Sequence, residues 1–317
     1  MSALRIAFFG TPEIAVPTLE RLVEGPHEVD VVVSQPDRER GRGRKVSASP
    51  VARAAEREGI PLLRPEQVGD RECVAQLEAK TPDLGVVVAF GQFIPRPVRE
   101  LPRLGYLINA HASLLPRHRG AAPIARAILA GDSRTGISVM RVEREMDAGP
   151  VALVRETAIG IDEEAGQLST RLGLLAADAI ADAIEQIETG TVTWTDQDPL
   201  HATLAPKLTK DDARLDFGRD AASRVRQVCA LAPSPGAVTI LAGEPLRILA
   251  ATVADGPTNG APGTAQQGSD GSLRVATPDG WLVPTRIQRA GGKPLETRSF
   301  LRGRPIPDGT QLGEELP

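Results

Sequence analysis

Aromatic residues are scarce in this chain: Phe, Tyr and Trp make up 3% of its 317 residues. Its cores must therefore be aliphatic, built from Val, Leu, Ile and Ala, and base stacking can be only a minor term in any nucleic-acid affinity. Cysteine is nearly absent. Cys73 and Cys229 lie far apart with no CxxC spacing, which excludes a disulfide framework and suggests neither a zinc site nor a redox motif. No metal is expected. No apolar run approaches the ~20 residues of a membrane span. The N-terminus reaches strand-like sequence by Leu4 without the basic and apolar regions of a secretory signal, so the expectation is a cytoplasmic protein with no membrane partner. A global excess of basic charge is also missing. The formal charge is −4, divided as −6 over residues 1–206 and +2 over 207–317. Any contact with nucleic acid must come from local patches.

Hydrophobic content is 41% and charged content 25%, ordinary for a globular protein, and the length suggests two domains. Apolar runs at Leu4–Phe9, Val29–Ser34, Ile60–Leu63, Leu84–Phe90 and Leu104–Ile108 read as buried parallel strands. Helical patterns lie between them, at about 14–24, 50–58 and 70–80. Helices are also expected at about 122–130 and, as a long amphipathic stretch, 165–188. Thr135–Val142 and Val151–Ile159 read as antiparallel additions at one side. This alternation predicts an α/β, Rossmann-like doubly wound domain over residues 1–189. Residues 190–206, rich in Thr, Asp and Pro without clear periodicity, are expected to be a linker. From Lys207 the pattern changes to a helix at about 220–231, then short alternating strands: 237–240, 246–253, 263–265, 273–277, 281–287 and one further short strand. An OB-like β-barrel over 207–317 is the expectation.

The chemistry centres on Asn109-Ala110-His111-Ala112-Ser113-Leu114-Leu115-Pro116, followed by Arg117-His118-Arg119-Gly120. An amide and an imidazole sit two residues apart, on one side of a strand end, where open α/β sheets bind ligands. A lone Asn-x-His is as compatible with packing as with catalysis. A third group, Asp147, falls in a loop with Gly149-Pro150 that can fold back over the strand ends. An amide NH2 can donate to a developing oxyanion, and a carboxylate can fix an imidazole's charge or tautomer. Together the three suit acyl transfer to an amine without a covalent enzyme intermediate. Ser113 is not in a GxSxG elbow, so a nucleophilic role is not suggested. Gly10-Thr11-Pro12-Glu13 stands where a dinucleotide loop would, but Pro12 removes a backbone donor and GxGxxG is not present. It reads as a tight turn or as a loop against which one end of a substrate packs. His118, between two arginines, is expected in an exposed loop. Residues 35–46 hold Arg38, Arg40, Arg42, Arg44 and Lys45 against Asp37 and Glu39, net +3. They form either a solvated charged loop or a polyanion-binding one, since Arg forks pair with phosphates.

With these residues assembled, the chain resembles the 10-formyltetrahydrofolate-dependent formyltransferases. The likeness runs through GTPEIAVPTLERL (10–22), QPDRERGRGRK with SPV (35–51), VVVAFGQFIP (86–95), INAHASLLPRHRGAAPIARAI (108–128), TGISVMRVEREMDAGPV (135–151) and KLTKDDARLDF (207–217). The basic loop and KLTKDDARLDF resemble the tRNA-acting branch in particular. The resemblance implies formyl transfer from 10-formyltetrahydrofolate, as co-substrate, to the α-amine of methionyl-initiator-tRNA, with Asn109, His111 and Asp147 as the catalytic residues. It implies folate binding by Ser113, Leu114, Leu115 and Pro116. Backbone at Phe90, Gly91 and 141–147 would form the pterin pocket. It further implies tRNA contacts through Arg38, Arg40, Arg42, Arg44 and Lys45, with Arg42 at the end of the acceptor stem, and through Lys207 and Lys210. Arg286, Arg289 and Lys293 are further candidates, and a monomer is expected. Three positions depart from the family pattern: Ala112 for Gly, Ile14 for Phe, and Ser234 for the Trp between the prolines at 233 and 235. The rivals are a small-molecule formyltransferase acting on a nucleotide sugar or glycinamide ribonucleotide, and a noncatalytic RNA-binding protein of the same fold.

Overall fold

The computed structural model describes residues 3–40, 45–258 and 260–313, with the side chains of Glu39, Arg40 and Lys45 excepted. Two compact units emerge. The first comprises residues 1–123, 134–158 and 169–206, the second 124–133, 159–168 and 207–317.

In the first unit the continuous apolar runs become fully covered strands, because helices lie on the faces of a parallel sheet and leave no solvent side. The elements run β1 (Arg5–Gly10), α1 (Val16–Val23), β2 (Glu28–Val33), β3 (Arg38–Arg40), β4 (Lys45–Ser47), α2 (Pro50–Arg57), β5 (Leu62–Leu63), α3 (Arg71–Lys80), β6 (Leu84–Val88), α4 (Arg96–Arg99) and β7 (Leu107–His111). They continue with α5 (Pro123–Ala130), β8 (Arg134–Arg141), β9 (Val151–Ala158) and α6 (Ala165–Thr189). α5 and the first turn of α6 fall mostly in the second unit. The sheet order is β5-β2-β1-β6-β7-β8-β9. β1, β2, β5, β6 and β7 are parallel, and β8 and β9 are antiparallel additions beyond β7. The chain winds outward from β1 to β5 and then returns to the other side of β1, so the switch point lies between β1 and β6.

Local chemistry explains several starts and stops. A 3₁₀ turn at Glu13–Ala15 precedes α1, and Pro17 occupies its first turn, where a missing N–H costs nothing. Ser49 caps α2 by accepting from Ala52 N at 2.9 Å, with Pro50 next in line. The core on one sheet face is aliphatic except for Cys73 and an edge-to-face pair, Phe9 and Phe90, at 5.7 Å. The charged stretch 35–46, read as an open loop, contains the two-stranded hairpin β3–β4, with Arg38 opposite Ser47. Residues 41–44, which include Arg42 and Arg44, lie outside the described residues.

The second unit adds α7 (Lys210–Ala213), α8 (Ala221–Leu231), β10 (Ala237–Leu241), β11 (Glu244–Ala254), β12 (Ala265–Gln267), β13 (Leu273–Thr277), β14 (Gly280–Arg289), β15 (Leu295–Glu296) and α9 (Thr297–Gly303). Its antiparallel sheet runs β10-β11-β14-β13-β12, with β15 on β14. No ladder joins the end strands β10 and β12 among the described residues. Isolated bridges, Leu241–Leu312 and Thr264–Gln311, set the C-terminal segment against both ends. Where one more short strand was expected, the two residues of β15 run straight into α9. The buried Phe300 and Thr297 give that segment a helix's inward face instead of a strand's alternation. A bidentate pair, Arg126 to Asp212 at 2.7 and 2.9 Å, ties α5 to α7.

Candidate active site

The C-terminal ends of β1, β2, β6 and β7 converge on the switch-point side of the first unit. At the centre of that edge Thr11 Oγ1 donates to the Phe90 carbonyl at 2.8 Å, and Gln35 Nε2 donates to the same oxygen at 3.4 Å. The chain turns there through two left-handed residues, Ala89 and Gly91. The Phe90 ring is core and only its backbone faces the strand ends.

One strand over, Asn109 and His111 stand on the same side of β7. Asn109 pairs in register with Val87 and Met140, and His111 with Ser138. Asn109 is half-buried, and no protein group hydrogen-bonds its amide among the described residues. His111 is 6% exposed, with Nε2 2.9 Å from the His118 carbonyl. A carbonyl only accepts, so Nε2 carries the proton. The other edge, Nδ1, lies 3.5 Å from Asp147 Oδ2, beyond the usual length of a charge-assisted hydrogen bond. The Nδ1 edge is thus held beside the carboxylate and left uncommitted. Asp147 takes a left-handed φ of +52°, and its Oδ2 accepts from Gly120 N at 2.8 Å.

The 113–122 loop is built to hold this geometry. Ser113 is buried, and its Oγ donates to the Arg117 carbonyl at 2.6 Å. Its hydroxyl closes a turn and is unavailable as a nucleophile. Ser138 Oγ donates to the Ser113 carbonyl at 2.8 Å and accepts from Leu115 N at 3.1 Å. Leu114, Leu115 and Pro116 are half-buried, an apolar wall on the loop that leaves His111. His118, expected in an exposed loop, is 8% exposed. The reason lies outside the motif: residues 203–205 cover it. His118 N donates to Thr203 Oγ1 (2.9 Å), Arg119 N to the Thr203 carbonyl (2.8 Å) and Ala205 N to the Arg119 carbonyl (2.7 Å).

Residues 190–206 supply several of the site's partners. Thr195 and Val151 exchange backbone bonds at 2.8 and 2.9 Å. The Arg141 guanidinium lies 4.3 Å from the Tyr106 and Trp194 rings, a cation held between two π faces. Burial there raises the Tyr106 hydroxyl above its ordinary pKa, against the Arg141 charge. Gln197 Nε2 donates to the carbonyls of Asp147 (2.9 Å) and Gly149 (2.7 Å), and its Oε1 accepts from Arg119 Nε (3.0 Å). Gln197 and Thr203 were invisible in the sequence. They occupy aperiodic stretches, and nothing local ties them to residues 109–147.

Among the basic candidates, Arg38 is exposed and paired with Glu66 at 2.7 Å. Arg40 and Lys45 sit opposite each other in the β3–β4 hairpin. In the second unit Lys207, Lys210 and Lys293 are exposed and without a partner among the described residues. Arg286 is committed to Glu164 at 2.5 Å and Arg289 to Glu244 at 3.0 Å, so neither offers a free charge. Phe217, Trp281 and Phe300 are buried in that unit's core and present no stacking face. Among the described residues, no group of three or more His, Cys, Asp and Glu could hold a metal ion, and no helix is long and apolar enough to cross a membrane.

A doubly wound sheet with an uncommitted amide, an anchored imidazole and a carboxylate at its strand ends, among the described residues, is an arrangement suited to a transferase. The particular family follows from comparison. A model described as "Formyl transferase" matches residues 4–184, and one described as "Formyl transferase, C-terminal domain" matches 207–305; the chain belongs to the formyl transferase family. It is 44% identical to a methionyl-tRNA formyltransferase of Pseudomonas paraeruginosa over 301 residues, 95% of this chain and 96% of that one. It is 46% identical to one of Pseudomonas fluorescens over 95% and 94% of the two chains. Among solved structures, it superposes on HypX from Aquifex aeolicus in complex with tetrahydrofolic acid (TM-score 0.63, 20% identity), over 95% of this chain and 47% of that one. It also superposes on an N-formyltransferase from Helicobacter canadensis (TM-score 0.66, 15% identity), over 90% of this chain and 100% of that one. At such identities the structural matches establish the fold alone.

Proposed function

We propose that this chain transfers the formyl group of 10-formyltetrahydrofolate to the α-amine of methionyl-initiator-tRNA, supporting translation initiation. The observation that carries the reading is the Asn109 amide, without a partner among the described residues, beside the His111–Asp147 pair at a strand end. It occurs in a chain whose relatives match over nearly full length. The amine lone pair attacks the formyl carbon, and the oxygen gathers negative charge. Asn109 Nδ2 donates to that oxygen. His111 Nε2 is spent on the His118 carbonyl, so the Nδ1 edge, beside the Asp147 carboxylate, is the one left to face substrate. Collapse breaks the bond from the formyl carbon to N10 of the folate. The proton lost by the amine passes to N10, with Asp147 at hand to relay it. Each oxyanion donor is worth on the order of 2.7–4 kcal/mol in the transition state.

The half-buried wall of Leu114, Leu115 and Pro116 beside the buried Ser113, with backbone at Phe90, Gly91 and 141–147, suits a flat heterocyclic donor. Arg38, Arg40, Arg42, Arg44 and Lys45 make the basic stretch that would follow the acceptor stem. Lys207, Lys210 and Lys293 would meet phosphates, as their free charges suit. We divide the chain functionally into a catalytic domain (1–189), a connecting stretch (190–206) and a tRNA-binding domain (207–317). The last is read as an OB-like barrel in which residues 310–313 span the gap between β10 and β12. One tRNA per monomer is the simplest stoichiometry.

The test is formyl transfer from 10-formyltetrahydrofolate to charged initiator tRNA, beside an amino-sugar nucleotide and glycinamide ribonucleotide as rival acceptors. Turnover with the tRNA alone is expected. His111→Ala should lower kcat by about 10²–10³ with folate binding kept. A surviving kcat removes His111 from the chemistry, and preferred turnover of a small acceptor overturns the assignment of substrate.

A further inference from the structure

We propose that Gln197 is the positioning residue for the Asp147 carboxylate, and that through it residues 190–206 set the geometry of the reacting centre. This inference rests on the catalytic reading of Asp147 given above. Two loops hold that carboxylate. One carries it, at residues 147–149. The other orients it, through Gly120 N donating to Oδ2 at 2.8 Å. Gln197 is the side chain that grips both. Its Nε2 spans the carbonyls of Asp147 and Gly149 at 2.9 and 2.7 Å, and its Oε1 accepts from Arg119 Nε, one residue before Gly120, at 3.0 Å.

The arrangement leaves the amide one orientation. Two carbonyl oxygens demand the NH2 end, and the guanidinium N–H demands the oxygen end. Arg119 is itself 9% exposed, so the far end of the clamp is anchored in packed protein. Asp147 also needs such a clamp more than an ordinary residue would. Its φ of +52° is a backbone state that L residues rarely adopt, and it persists only where the surroundings over-determine it. Gln197 holds the carbonyl of that same residue. Without it, the peptide at 147 can relax and carry the carboxylate away from His111 Nδ1, and a misplacement of about 1 Å at a reacting centre can cost about 10²-fold in rate.

The experiment is a double-mutant cycle in the formyl-transfer assay, using the full chain and charged initiator tRNA. Gln197→Met keeps the side chain's length and removes its polar ends. It should lower kcat by about 10- to 100-fold and leave KM for tRNA and for the formyl donor within about twofold. In an Asp147→Asn background, the same change should lower kcat by less than about twofold, because the carboxylate it positions is already gone. Gln197→Glu keeps the acceptor for Arg119 but loses the donor to both carbonyls. It should behave like Met and serves the cycle if the Met variant does not fold. An equal drop in both backgrounds would mean that Gln197 only stabilises the fold, and an unchanged kcat would mean that it does nothing; either overturns the inference. If Asp147→Asn alone retains kcat, the catalytic reading fails first and takes this inference with it.

Discussion

Replacing Gly120 by alanine tests whether the loop after His111 and the 203–205 segment act as one template for the carboxylate. Gly120 has a φ of +129°, open to glycine and costly for any residue with a Cβ. An added Cβ would sit 2.6 Å from the Ala205 carbonyl oxygen and 3.1 Å from its carbon. Both atoms are backbone and cannot swing aside. The segment must retreat by about 0.8 Å or more to restore ordinary contact distance. Three hydrogen bonds converge on that spot: Ala205 N to Arg119 O (2.7 Å), Ala122 N to Ala205 O (3.1 Å) and Gly120 N to Asp147 Oδ2 (2.8 Å). Backbone strain of about 1–3 kcal/mol and the weakening of two such bonds at about 0.5–1.5 kcal/mol each give a loss of about 2–6 kcal/mol. That corresponds to a fall in melting temperature of about 5–15 °C. Because one of the three bonds ends on Asp147, kcat should fall by about tenfold or more in the fraction that stays folded. The assays are thermal unfolding by circular dichroism and steady-state formyl transfer below the transition. Gly190→Ala is the control. Its φ is +69° with nothing within 4 Å of the added Cβ, so it should cost about 1 kcal/mol and leave kcat alone. A Gly120→Ala protein as stable and active as the parent would refute the template.

Two further outcomes are expected. The Arg126 guanidinium, with the backbone N–H of Thr209 second, holds the Asp212 carboxyl down to about 2 from its ordinary 3.8. A folded pKa below the unfolded one adds stability above pH ~4 that is lost as pH falls toward 2. Asp212→Asn should therefore lower the urea midpoint at pH 7, by about 1–3 kcal/mol in stability, and flatten the decline between pH 4 and 2; an unchanged midpoint would mean the pair adds nothing. In the second unit, Lys207→Glu with Lys210→Glu should weaken tRNA binding and reduce the slope of log K against log salt by about 0.9 for each phosphate no longer neutralised. Binding of the formyl donor should not change, and a parent protein whose tRNA affinity is indifferent to salt would rule out these lysine–phosphate pairs.

Much of this molecule was legible in one dimension because its information is periodic or local. Buried parallel strands announce themselves as unbroken apolar runs, and β8 and β9 as alternating ones. The Asn109-x-His111 spacing puts two side chains on one side of a strand by the pleat alone. Ser49-Pro50 is a helix start wherever it occurs. Expectation and structure part where the deciding contact is distant. Arg286 and Arg289 read as free cations until Glu164 and Glu244 meet them. His118 reads as exposed until residues 203–205 cover it. The charged stretch at 35–46 reads as a loop because a three-residue hairpin arm is too short to show a period. The polar residues around the carboxylate follow the same division. A strand end and a motif determine that an amide, an imidazole and a nearby acid exist. That the imidazole turns its Nδ1 to Asp147, that Gly120 holds that acid, and that Gln197 grips both loops are decided only when segments about 30 to 80 residues apart in the chain are brought together. Hydrogen bonds of about 3 Å leave no trace in composition or periodicity.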